Sequence, residues 1–136
     1  VDLIHPGPSH TEDMTVLLFP EERTIFGADV YHVRRFGGSL NGYRIEAYER
    51  AIEKLQEFDF DTVVAGHGDI IGEKADLALF LGFLQDLDES VALGIAEGRT
   101  LAELLESLSF PEYQHWLLYE ERRVALITEA YELSTD

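Results

Sequence analysis

Met14-Thr15-Val16-Leu17-Leu18-Phe19-Pro20-Glu21-Glu22-Arg23-Thr24-Ile25-Phe26-Gly27-Ala28-Asp29 decides how the chain folds. Its first part is a continuous apolar run closed by Pro20, the pattern of a strand buried on both faces. Glu21-Glu22-Arg23 makes a polar turn, and Thr24-Ile25-Phe26 starts a second strand that ends at Gly27-Ala28-Asp29. The two strands are expected to pair as a hairpin. Upstream, Val1-Asp2-Leu3-Ile4-His5 is a short apolar strand stopped by Pro6-Gly7-Pro8. Downstream, a loop rich in Gly and Arg runs from Tyr31 to Gly42. Ile45, Tyr48, Ile52, Leu55 and Phe58 then recur at helical spacing with charges between them. Thr62-Val63-Val64-Ala65 is a further buried strand, and Gly66-His67-Gly68-Asp69 is the loop at its end.

This alternation makes residues 1–72 an α/β unit, whereas residues 73–136 read as an all-helical tail packed on it. Leu77, Phe80, Leu81, Leu84, Leu87, Val91 and Ile95 form one long apolar stripe ending at Gly98. Thr100 and Glu103 have the spacing of a capping box, which opens a short helix. Pro111 suits a first helical turn, and the pattern predicts one helix from there through Trp116, Leu117, Val124, Ile127 and Tyr131. Tyr113, Trp116 and Tyr119 on that helix read as core packing rather than an aromatic box.

Acidic residues outnumber basic ones 27 to 10, a net charge of -17 that repels nucleic-acid phosphates and anionic lipid headgroups. Neither nucleic acid nor membrane is therefore an expected partner. The tight basic groups are Arg34-Arg35 and Arg122-Arg123. The first pair could hold a substrate carboxylate or stand solvated in a polar loop. With no cysteine, any metal must be held by His and carboxylate groups. No apolar run is long enough to span a bilayer and nothing resembles a signal peptide, so a cytoplasmic protein is expected. The chain opens on Val1 rather than Met, as a fragment would.

Two of the five histidines lie in Gly- and Pro-containing loops beside apolar strands: His10 in Gly7-Pro8-Ser9-His10-Thr11 and His67 in Gly66-His67-Gly68. Between them, Asp29 ends a strand. Ligand-binding groups gather in loops at strand ends of α/β folds. Imidazole nitrogens and carboxylate oxygens suit zinc, manganese or iron. Singly, each residue has an ordinary alternative as a surface or turn residue. His5 reads as a strand-ending residue and His115 as a packing or surface residue, while His32 could reach a substrate or stand in a solvent-facing loop.

In their order along the chain, G-P-S-H-T, then P-E-E-R-T-I-F-G-A-D, a helix and T-V-V-A-G-H-G resemble the second half of the metallo-β-lactamase superfamily over residues 1–72. The tail, with E-G-R-T-L-A-E-L-L and W-L-L-Y-E-E-R-R, is similar to the C-terminal extension of some of its hydrolases. The resemblance implies half of an αββα sandwich followed by a helical tail. It implies that His10 and His67 each serve one of two metals, with Asp29 bridging them. It further implies a zinc-dependent hydrolase in which metal-activated water attacks an ester, thioester, lactone or amide-type bond of a small-molecule substrate. His32 and Arg34 are the candidate substrate-binding residues, and no catalytic residue is expected beyond the metal ligands.

Two departures qualify the match. The hallmark H-x-H-x-D-H motif of the first half is absent, so four further ligands must come from elsewhere, and Ala28 stands where Gly usually precedes the aspartate. Alone, the chain is expected to be inactive and metal-poor. A missing N-terminal half, a complementary chain or a homodimer would cover the exposed half-sheet. The competing reading is a non-catalytic interaction module that keeps half of the fold, binds through its helical tail and carries vestigial His10, Asp29 and His67.

Overall fold

The computed structural model describes residues 1–136. Five strands form one sheet in chain order: β1 (Asp2–Ile4), β2 (Val16–Phe19), β3 (Thr24–Phe26), β4 (Thr62–Val64) and β5 (Ile71–Glu73). All neighbours are antiparallel except β3 and β4. That parallel pair needs a crossover, and α1 (Ile45–Gln56) lies within it. Beyond β5 come α2 (Lys74–Ala96), α3 (Leu101–Ser107), a 3-10 turn over Pro111–Tyr113 and α4 (Tyr119–Thr135).

The helices cover one face of the sheet. Ile4, Val16, Leu18, Ile25 and Val63 point into them and are at most 8% exposed. They join Tyr48, Ile52 and Leu55 of α1 and Leu77, Leu84 and Leu87 of α2 in one core. The expectation that β2 is buried on both faces is corrected. Val16 and Leu18 are buried, but Leu17 and Phe19 are only half-buried, because no layer covers the second face.

The hairpin of β2 and β3 forms with Leu18 opposite Ile25. The Thr100 capping box also forms: Glu103 N–H donates to Thr100 Oγ1 at 3.3 Å, and Thr100 N–H donates to Glu103 Oε2 at 2.7 Å. The single helix expected from Pro111 is broken. Phe110 and Leu118 both take left-handed φ values, 48° and 61°, so a 3-10 turn and a kinked link precede α4. Trp116 lies outside any helix yet is buried, packed edge-on against Tyr113, Phe36 and Phe83 at centroid distances of 4.7, 6.2 and 5.7 Å. The Gly- and Arg-rich segment after Asp29 is irregular but not superficial, since Val30, Tyr31, Val33 and Phe36 are core residues.

Candidate metal centre and cleft

Strand direction alone brings the candidate ligands to one edge. Because β1 and β2 are antiparallel, as are β2 and β3, the loop entering β2 and the loop leaving β3 share that edge. Parallel pairing of β3 with β4 puts the loop after β4 there too. His10 precedes β2, Asp29 follows β3 and His67 follows β4.

Local packing fixes the loops. Tyr31 Oη donates to the carbonyls of Ile25 and Val64 at 3.1 and 3.0 Å, and burial raises its pKa. Its ring covers Gly27 so closely that a Cβ there would lie 2.0 Å from Cε1. Gly66 N–H donates to the Ala28 carbonyl at 2.8 Å, and a Cβ on Gly66 would lie 3.2 Å from Asp29 Oδ1. Glycine at 66 thus permits the close approach of the aspartate and second histidine loops.

The result is a carboxylate between two imidazoles. Asp29 Oδ2 is 3.8 Å from His10 Nε2, and Asp29 Oδ1 is 3.1 Å from His67 Nε2. Oδ1 is buried with no hydrogen-bond partner, which is costly unless something else satisfies it. No three His, Asp or Glu side chains are arranged to hold one metal ion. The donors divide into two pairs, each with one carboxylate oxygen and one histidine. That set fits half of a two-metal site and falls short of a closed one.

Asn41 Nδ2 is 2.7 Å from His10 Nδ1, so the amide donates to Nδ1, as suits the tautomer with its proton on Nε2. Metal ligation through Nε2 would require the opposite tautomer, with the Asn41 amide turned to present its carbonyl oxygen to Nδ1–H.

A cleft of about 420 Å³ opens beside these groups, lined in part by His10, Asp29, His67, His32, Arg35 and Arg122. His32 is 8% exposed and stands edge-on to Phe80 at 5.6 Å. Burial first, then the positive charge of Arg35, lowers its pKa to about 4, so it is neutral near pH 7. Arg35 Nη1 donates to His32 Nδ1 at 3.2 Å, which puts the ring proton on Nε2.

Arg34 is not brought to this cleft. Its Nε and Nη1 donate to Asp69 at 2.8 Å and Asp76 at 2.7 Å. A left-handed φ of 49° at Arg34 turns the consecutive arginines apart, and Arg35 is the one that lines the cleft. His5 donates from Nδ1 to the Met14 carbonyl at 2.9 Å, and His115 is exposed. The sequence reading missed Asn41 and the cleft role of Arg122, which reach the site from 31 residues beyond His10 and from α4. Only the Arg122-Arg123 doublet signalled either one.

This architecture, a mixed α/β sheet with helices on one face and a helical tail, is that of half a metallo-β-lactamase fold. A metallo-beta-lactamase from Pontibacter korlensis superposes with a TM-score of 0.55 and 26% identity, over 62% of this chain and 40% of its own. The crystal structure of VMB-1 at pH 5.5 superposes with a TM-score of 0.55 and 25% identity over the same shares. The chain therefore spans about 40% of the length of these structures. No protein-family model and no curated protein matches the sequence. No helix is long and apolar enough to cross a membrane.

Proposed function

We propose that the chain is the C-terminal part of a metal-dependent hydrolase, contributing half of a two-metal site to an enzyme acting on an ester, thioester, lactone or amide-type bond. The observation that carries this is the Asp29 carboxylate, with one oxygen toward His10, the other toward His67 and the second left without a hydrogen bond. His10 and Asp29 Oδ2 would hold one ion, and His67 and Asp29 Oδ1 the other. Zinc suits these donors, and manganese or iron would also be accepted. Such ions supply Lewis acidity and a water activated near neutral pH. The chain's own residues do the rest. Phe80, Leu84 and Leu126 give the cleft an apolar wall, and the neutral His32 offers Nε2–H as a hydrogen-bond donor.

Two donors per ion hold metal weakly, so a complementary half bearing H-x-H-x-D-H, on the same or another polypeptide, completes the site in this reading. The uncovered face of the sheet is where it would pack. A second reading is a non-catalytic module that binds through its helical tail, for which the uncovered apolar row of the sheet offers an additional surface.

Native mass spectrometry with added zinc separates the two. The hydrolase reading expects partial zinc occupancy in the chain, reduced at least tenfold in affinity by Asp29→Ala or His67→Ala. Adding a hallmark-bearing half should raise both occupancy and ester hydrolysis. Zinc uptake that is identical in the wild type and both variants would leave only the module.

A further inference from the structure

We propose that Arg35 and Arg122 form an anion subsite in the same cleft, so that its substrate carries a carboxylate or phosphate group beside the reacting bond. This rests on the cleft being a substrate site, as read above.

Carboxylates are plentiful here, 27 against 10 basic residues, so an arginine without one is not explained by shortage. The arginine–carboxylate ion pairs use Arg23, Arg34 and Arg44. Arg35, Arg50, Arg99, Arg122 and Arg123 take part in none, and of these only Arg35 and Arg122 line the cleft. Arg122 projects from α4, and its Nη1 makes one long bond, 3.4 Å to the Gly38 carbonyl. Its Nε is buried with no acceptor at all. Arg35 spends Nη1 on the uncharged His32 ring. The neighbouring acid of α4, Glu129, is already committed, accepting from Ser39 Oγ at 2.9 Å and Leu40 N–H at 2.7 Å.

Two cations are thus held partly out of water and close together. Burial, then the charge of Arg122, lowers the pKa of Arg35, with Asp29 opposing. An anion between them would remove the repulsion and give the orphaned Nε–H its acceptor. Guanidinium groups present planar forks that match carboxylate and phosphate oxygens, which explains arginine rather than lysine here. If Asp29 is engaged by metal, its compensating charge is withdrawn from Arg35 and the demand for an outside anion rises. Arg123, next in sequence, differs: its Nη1 donates to the carbonyls of Leu105 and Leu108 at 3.2 and 2.7 Å.

The test follows arginine Nε–H resonances of the full ¹⁵N-labelled chain while inorganic phosphate or acetate is added at constant ionic strength. Saturable shifts are expected at Arg35 and Arg122 and none at Arg123. Arg35→Gln and Arg122→Gln should each weaken binding about tenfold or more. Arg122→Lys, which keeps the charge without the fork, should retain part of it, and its backbone spectrum reports that the fold is intact. A response to phosphate alone points to a phosphorylated substrate, and one to acetate as well points to a carboxylate-bearing one. No saturable shift with either anion, or shifts unchanged in the Gln variants, overturns the subsite. The readout needs neither metal nor turnover. Its failure would leave the zinc reading standing, and unchanged zinc uptake in the Asp29 and His67 variants would leave the subsite standing.

Discussion

The two faces of the sheet are built from alternate residues of the same strands, and they have opposite fates. On the inner face, Leu18, Ile25 and Val63 lie side by side under the helices at 6%, 0% and 0% exposure. On the outer face, Leu3, Leu17, Phe26, Val64 and Ile71 also fall in one register row, crossing all five strands. The ends of that row, Leu3 and Ile71, are 72% and 67% exposed. Scattered apolar residues on a surface need no explanation, but an aligned row across a whole sheet does. This row of the outer face has the composition of a buried one and lacks a covering layer, whereas the next row, Phe19, Thr24, Thr62 and Glu73, is mostly polar. The inner face sets the stability of the chain, while the outer face offers it a place to associate.

Neighbouring residues of β3 put the comparison to its hardest test. Ile25→Ala removes a fully buried side chain and should cost about 3–4 kcal/mol. Phe26→Ala, one residue on, should cost only about 1 kcal/mol because its side chain is half-buried. Urea denaturation of the two variants gives both numbers. Comparable losses would mean that the outer face is covered in solution, and the loss at Phe26 should then depend on protein concentration.

Burial on the helix side also predicts a pH dependence. His32, with a folded pKa of about 4 against about 6.5 in the unfolded chain, takes up a proton more readily once unfolded. Stability is therefore full above about pH 6.5 and falls as pH drops toward 4, by at most about 3 kcal/mol. Denaturation midpoints measured across that window should fall less in His32→Gln, which cannot be protonated. A wild-type chain equally stable at both ends would mean that the imidazole is not desolvated.

How much of this was legible depends on the range over which each feature is encoded. The β2–β3 hairpin, α1, α2 and the Thr100 cap follow from periodicity and turn chemistry within a few residues, and all formed. The grouping of His10, Asp29 and His67 was expected only through the resemblance, because the strand order and the parallel β3–β4 pairing that bring them to one edge are not carried by local pattern. β5 was not legible, since Ile71-Gly72-Glu73 is three residues long and draws its regularity from β4. The helix expected from Pro111 failed because left-handed turns at Phe110 and Leu118 let Trp116 enter the aromatic core, a tertiary demand that local pattern does not carry. For a similar reason Arg34, the candidate named for substrate, lies away from the cleft that Arg35 lines. One left-handed residue decides which of two identical side chains faces the cleft, and the spacing of the pair holds no sign of it.

Ala28 shows what that kind of backbone costs. It sits at φ 48°, between Gly27 and Asp29, where a Cβ crowds the following carbonyl. Its conformation is held from both sides. The Tyr31 ring lies on Gly27, and the Ala28 carbonyl accepts from Gly66 N–H at 2.8 Å. Tertiary contacts rather than local preference therefore set the angle at which Asp29 leaves β3. Ala28→Gly should relieve the strain without moving the carboxylate. Set against the extra freedom glycine has when unfolded, the net gain is about 1 kcal/mol, or a rise of about 4 °C in Tm. Calorimetry measures the gain, and the zinc response of the variant reports whether Asp29 stays in place. A stabilised protein with unaltered zinc binding would show that the edge is positioned by Tyr31 and Gly66. Stabilisation with weakened zinc binding would show instead that the alanine, strained as it is, aims the carboxylate.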